Sequence, residues 1–139
     1  ILAAQTLGAD LAYIGSAFIA TQEANAAEGY KRMIVDSSAK DIVHTNLITG
    51  VHGNYLKPSI RNAGMDPDAL PTSDPSKMDF GSDRQKPKAW KEIWGCGQGI
   101  GVLRDVPPAA ELIARWEQEY AAAQREWLQR LLPQSTQAA

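Results

Sequence analysis

Gly8-Ala9-Asp10-Leu11-Ala12-Tyr13-Ile14-Gly15-Ser16-Ala17-Phe18 is the stretch on which the fold turns. Its centre, residues 11–14, is a short continuous apolar run rather than an alternating one, the pattern of a strand covered on both faces in a parallel sheet. Residues 1–7 ahead of it (Ile-Leu-Ala-Ala-Gln-Thr-Leu) favour helix, and Gly8 stands where a C-terminal glycine cap belongs. Gly15 and Ser16 end the run. Helix, glycine, short buried strand and glycine-containing turn together are the punctuation of an α/β fold.

Farther along, a polar turn leads to a helix expected over residues 26–37, with Tyr30, Met33 and Ile34 on one side. Residues 41–49 have the β-branched content and partial alternation of a strand, and residues 50–53 read as a turn. Residues 57–88 contain Pro58, Pro67, Pro71, Pro75 and Pro87. That content predicts mostly loop, either covering a site or disordered. A short helical segment is expected over 89–94, running into Gly95-Cys96-Gly97-Gln98-Gly99-Ile100-Gly101. Pro107-Pro108 suit the start of a last helix, in which Leu112, Trp116, Tyr120, Trp127 and Leu131 recur at helical spacing down to Pro133 and predict core packing. Residues 134–139 predict a frayed tail. There is no internal repeat.

The 139 residues are one domain's worth of chain, and an apolar share of 44% is enough to bury a core. Fourteen basic against sixteen acidic side chains leave a formal charge of -2, with no basic cluster to attract nucleic acid or an anionic membrane. The longest mostly apolar stretch, residues 11–20, has about half the roughly 20 residues a membrane span requires. Cys96 is the single cysteine, which excludes an internal disulfide, and the two histidines, His44 and His52, lack the carboxylate pattern of a zinc site. No metal is expected, and a reducing, cytoplasmic setting fits best. The chain opens on Ile1 without an initiator Met or a signal-peptide pattern, so it is expected to be the tail of something longer.

Two places have the means to hold a ligand. A phosphate needs backbone N–H groups, close approach without a Cβ in the way and preferably a hydroxyl, and Gly15 followed by Ser16 at a strand end supplies all three. In α/β barrels, phosphate groups often sit after the last strands. The bland alternative is a plain Gly-Ser turn. Residues 95–101 match neither the Rossmann nor the Walker spacing, but their glycines let backbone approach a flat ligand, with Gln98 able to give and accept hydrogen bonds; a flexible loop is the alternative. His44 and His52 can titrate near neutrality but have no nucleophile to serve. Cys96 is reactive if exposed and otherwise a small buried hydrophobe. Asn54, Lys57 and Arg61 can reach an anionic group or simply be solvated.

Three separated blocks carry a family resemblance. Residues 8–24 resemble the last barrel strand and following turn of the nitronate monooxygenases, formerly called 2-nitropropane dioxygenases. Residues 48–60 with Ala63-Gly64-Met65-Asp66-Pro67 resemble the second-domain segment of a bacterial branch of that family. Residues 93–101 resemble its Trp-Ser-Ala-Gly-Gln-Gly-like stretch, with Gly95 and Cys96 in place of the usual Ser and Ala.

The resemblance implies an FMN-dependent oxidoreductase on a (β/α)8 barrel that oxidises alkyl nitronates with O2 and no metal. Tyr13, Ile14, Gly15 and Ser16 match the stretch that holds the FMN phosphate, and Gln98 lies near the flavin in the family picture. No residue here matches the catalytic histidine; neither His44 nor His52 does. The implied fold is a fragment of a TIM barrel, its last strand, plus most of a small α+β second domain and a C-terminal helix. The implied division is barrel end over 1–24, second domain with a long Pro-rich loop over 25–94, and glycine-rich loop with returning helix over 95–139. A barrel needs about 250 residues and eight strands, so this chain alone is expected to be inactive. Two alternatives stand beside this reading: a flavin-dependent enoyl-acyl-carrier-protein reductase, against which residues 54–60 argue, and a non-catalytic interaction module.

Overall fold

A computed structural model of the chain describes residues 1–72 and 92–132. The expected loop over 73–88, the start of the 89–94 segment and the tail 134–139 lie outside the described residues. The described part is a mixed α/β structure: a two-stranded antiparallel sheet with helices packed around it.

Helix α1 spans Leu2–Thr6. Gly8, at φ +95°, ends it in the left-handed conformation that its position suggested, and the Ala9 N–H closes back onto the Ala4 carbonyl at 3.0 Å. Residues 11–15 form no ladder among the described residues, which corrects the strand expected at 11–14. A parallel strand exists only through hydrogen bonds to neighbours and cover on both faces, and here Leu11 and Tyr13 have neither. The turn then enters α2, Ser16–Ile19, with Ala17 and Ala20 in the core.

Helix α3 spans Glu28–Asp36 and packs as its periodicity predicts, with Ile34 wholly buried and Tyr30 and Met33 against the core. A 3-10 turn, Ala39–Asp41, begins where Ser38 donates to the Asp41 carboxylate from both its N–H and its hydroxyl, each at 2.9 Å. Strand β1, Ile42–Thr45, pairs antiparallel with β2, Gly53–Leu56, in the register Ile42↔Leu56 to Thr45↔Gly53. The strand expected over 41–49 therefore stops at Thr45, and the chain turns through Gly50 at φ +78°. Residues 94–96 add to the other edge of β2, with Leu56 N–H on the Trp94 carbonyl at 2.8 Å and Cys96 N–H on the Asn54 carbonyl at 3.2 Å.

Helix α4, Lys57–Asn62, occupies the start of what the prolines marked as loop. Pro58 falls within its first turn, where a missing N–H costs nothing, so proline content there is a start signal. A second 3-10 turn covers Gln98–Val102 and buries Ile100. The last helix, α5, spans Ala109–Leu131. Leu112 is buried and Trp116 meets Phe18 edge-on at 5.4 Å, but Trp127 and Leu131 are exposed, so the expected core stripe holds only for the first half of the helix. The elements enclose one core of Ala17, Ala20, Ile34, Leu56, Cys96, Ile100, Leu103 and Leu112.

Candidate functional site

The structure brings together the two segments singled out for ligand chemistry, although they lie far apart in the chain. The Gly97 N–H donates to the Ser16 hydroxyl oxygen at 2.7 Å. Ser16 accepts that bond through its oxygen, so its own O–H is available to a further acceptor. Gly97 is delivered there by several anchors: residues 94–96 are pinned to β2, the Tyr30 hydroxyl donates to the Gly95 carbonyl, and the Tyr30 ring stacks on Trp94 at 5.0 Å. Ser59 Oγ accepts the Trp94 N–H at 3.0 Å from a wholly buried position. Burial, with a smaller contribution from Cys96, raises the Tyr30 phenol above its ordinary pKa, so it stays a donor.

Gly15 precedes α2, and a Cβ there would meet only the Tyr13 ring, at an ordinary 3.9 Å. At Gly99 a Cβ would meet nothing. Neither glycine is demanded by the packing of the described chain, which leaves room for close approach of a ligand to the backbone. Ile14 and Gly99 line a mainly apolar cavity of about 480 Å³ between α1 and α5. Tyr13 is 100% exposed and does not line the cavity. Gln98 begins the 3-10 turn next to Gly97, and its side chain makes no hydrogen bond among the described ones. A free hydroxyl donor, unneeded glycines and an adjacent apolar wall are a donor set and a space compatible with a phosphate-bearing aromatic group.

The remaining candidates are otherwise engaged. His44 Nδ1 is 2.8 Å from Asn54 Oδ1, and the ring stacks on His52 at 5.2 Å, beside a smaller polar cavity that shares no lining residue with the first. Lys57 and Arg61 both bind Asp68, and Lys57 chiefly holds that carboxyl below its usual pKa. Cys96 is buried and desolvation pushes its thiol up to about 11, which makes it the small hydrophobe of the two readings. Among the described residues no group of three or more His, Cys, Asp or Glu is placed to hold a metal, and no helix is long and apolar enough to cross a membrane.

Three residues organise this region through contacts that the sequence does not show. Lys31, almost fully buried, donates to the Gln22 carbonyl at 3.2 Å. Tyr30, placed by periodicity on the apolar side of α3, also donates its hydroxyl to the Gly95 carbonyl. Glu23 accepts the Ala109 N–H at 2.8 Å across 86 positions of sequence. Each acts through a contact that only the folded chain creates.

In fold, the chain resembles a FabK mutant from Thermotoga maritima, with a TM-score of 0.64 at 20% identity over 93% of this chain and 39% of that one. In sequence, it is 33% identical over 125 residues to the nitronate monooxygenase of Paraburkholderia phytofirmans. That alignment takes in 86% of this chain and 34% of the relative, so the chain spans about a third of the length of the protein it matches. No family model matches. Over those 125 residues the chain is similar to a nitronate monooxygenase, the family that its sequence resembles.

Proposed function

We propose that this chain is the carboxyl-terminal portion of an FMN-dependent nitronate monooxygenase. Residues 1–24 would end the barrel, 25–94 would form most of the second domain, and 95–139 would return a helix to the barrel. The observation that carries the reading is the sequence match to a nitronate monooxygenase. The bond between Ser16 and Gly97 supports it, because it joins the phosphate turn to the glycine-rich segment that the resemblance puts near the flavin.

In the whole protein, FMN would supply the redox chemistry that the oxidation of an alkyl nitronate by O2 needs. The residues of this chain hold and orient it. The Gly97 N–H fixes the Ser16 hydroxyl oxygen, and Ser16 would donate its O–H to the phosphate. Gly15 would let the backbone approach the same group, with Tyr13 and Ile14 before it in the matched stretch, and Gln98 would lie near the flavin. The base that handles the substrate proton belongs to another part of the longer protein, since His44 and His52 are turned to Asn54 and to each other. The setting is cytoplasmic, and the substrate is a small nitronate or nitroalkane.

Micromolar affinity requires about 8 kcal/mol, whereas a hydrogen bond to a charged group contributes about 1.5–3 kcal/mol. The donors at Gly15 and Ser16 alone fall short of that once the entropy of binding is counted. The chain by itself should therefore purify without flavin absorbance. The longer protein should be yellow and consume O2 with an alkyl nitronate. Oxidation of a nicotinamide with an enoyl thioester, and none of the nitronate, would favour the reductase alternative instead.

A further inference from the structure

The hairpin of β1 and β2 brings the two histidines together although eight positions separate them in the chain. His44 stands directly opposite Asn54, and His52, two positions before Asn54, lies diagonally across from His44 on the same face of the sheet. Both side chains are exposed, and their rings are nearly parallel, at 21°, with centres 5.2 Å apart. The Asn54 Oδ1 can only accept, so the His44 Nδ1 beside it at 2.8 Å donates, which leaves the lone pair of the neutral imidazole on Nε2. No group among the described residues bonds that Nε2 or either ring nitrogen of His52.

We infer that His44 and His52 together hold one divalent transition-metal ion of the kind that prefers imidazole nitrogen, with water completing its coordination. Zinc takes imidazole nitrogen at about 2.0–2.1 Å, which sets the ring centre about 3.2 Å from the ion, so two such rings at the tetrahedral angle have centres about 5.2 Å apart. The pair already stands at that separation. His52, which no hydrogen bond holds, turns about χ2 to present a nitrogen, a rotation that leaves its ring centre in place. The bond from His44 to Asn54 is the outer contact that metal-ligating histidines make, fixing the tautomer and the ring. Asp68 lines the same cavity but is committed to Lys57 and Arg61, so the remaining ligands are waters, for which about 230 Å³ has room. That cavity shares no lining residue with the one beside Gly99, and the site does not depend on flavin or on the proposed reaction.

The test is a titration of the chain with Zn2+, read by calorimetry and by the histidine ring signals in NMR. One ion should bind per chain with a dissociation constant of about 1–100 μM, and the signals of His44 and His52 should move together and stop at one equivalent. His44→Ala and His52→Ala should each weaken binding at least about tenfold with unchanged circular dichroism, since both side chains are exposed. Asn54→Ala keeps both ligands and should weaken binding about tenfold by releasing the His44 ring. Cys96→Ala should bind as the parent does, because that thiol is buried, and Mg2+, which takes oxygen ligands, should not compete. Absence of saturable Zn2+ binding below about 1 mM overturns the inference. Binding that survives either histidine substitution also overturns it, since the ion then sits elsewhere or on a single imidazole.

Discussion

The start of α5 offers the sharpest test of how the described chain is held together. Pro107 and Pro108 carry no N–H, and Pro108, at the N-cap, makes no side-chain cap bond, so the Ala109 N–H is the first donor the helix presents. Glu23 takes it at 2.8 Å, while the Gln22 N–H binds the Pro107 carbonyl at 3.0 Å and Lys31 holds the Gln22 carbonyl. Glu23 is thus a cap borrowed from residues 86 positions away, and its negative charge sits at the positive end of a 23-residue helix. Losing a cap costs about 1 kcal/mol, and the charge at a helix terminus contributes about 0.3–1 kcal/mol more. Glu23→Ala should therefore destabilise the chain by about 1–2 kcal/mol, or about 3–7 °C in Tm at this size. Glu23→Gln keeps a carbonyl acceptor and loses only the charge, so it should cost about 0.3–1 kcal/mol. Urea titrations followed by circular dichroism measure both, and the midpoint should move with an unchanged slope. In 1 M salt the Gln variant should approach the parent while the Ala variant stays destabilised, because salt screens the charge and not the hydrogen bond. An Ala variant within about 0.3 kcal/mol of the parent would refute the cap.

Four further outcomes are expected. Ile34→Ala, at a wholly buried core position, should cost about 2–5 kcal/mol in the same titration. Gly15→Val should leave the stability of this chain nearly unchanged, since a Cβ there meets only Tyr13, yet should strip FMN from the longer protein as read by flavin absorbance. Asp41, whose carboxyl is held low chiefly by the Ser38 N–H, contributes stability that is complete above the ordinary aspartate value of about 3.9 and drains away as pH falls through the lowered one. Asp41→Asn should flatten the loss of Tm on going from pH 5 to pH 3. Finally, the Cys96 thiol, raised to about 11 by burial, should react with a disulfide reagent at pH 8 far more slowly in the folded chain than in denaturant.

How much of this was legible beforehand follows from the range of the forces involved. The end of α1 at Gly8, the apolar side of α3 and the proline start of α5 are local events, decided by φ preference and by helical periodicity within a few residues, and each appears where its residues predict. The family resemblance is also local, in that each block is continuous in sequence. The failures are equally physical. Residues 11–14 look like a strand, but pairing belongs to neighbours, and none stands beside them in the described chain. Pro58 belongs to a proline-rich stretch that predicts loop, yet in a first turn its missing N–H and fixed φ suit a helix. The stripe on α5 is periodic along its whole length, yet periodicity says only that a face is apolar and not that anything covers it.

The candidate site divides the same way. Sequence alone determined that a glycine and a hydroxyl would stand together at residues 15–16, and that residues 95–101 would be free of bulky side chains, because both are statements about which atoms each residue carries. Only the tertiary structure decided that the Gly97 N–H would reach Ser16, that Tyr30 and the edge of β2 would deliver it, and that Glu23 would cap a helix 86 positions away. Those contacts arise from packing helices around one core, and their energies depend on distances that no local pattern of residues encodes.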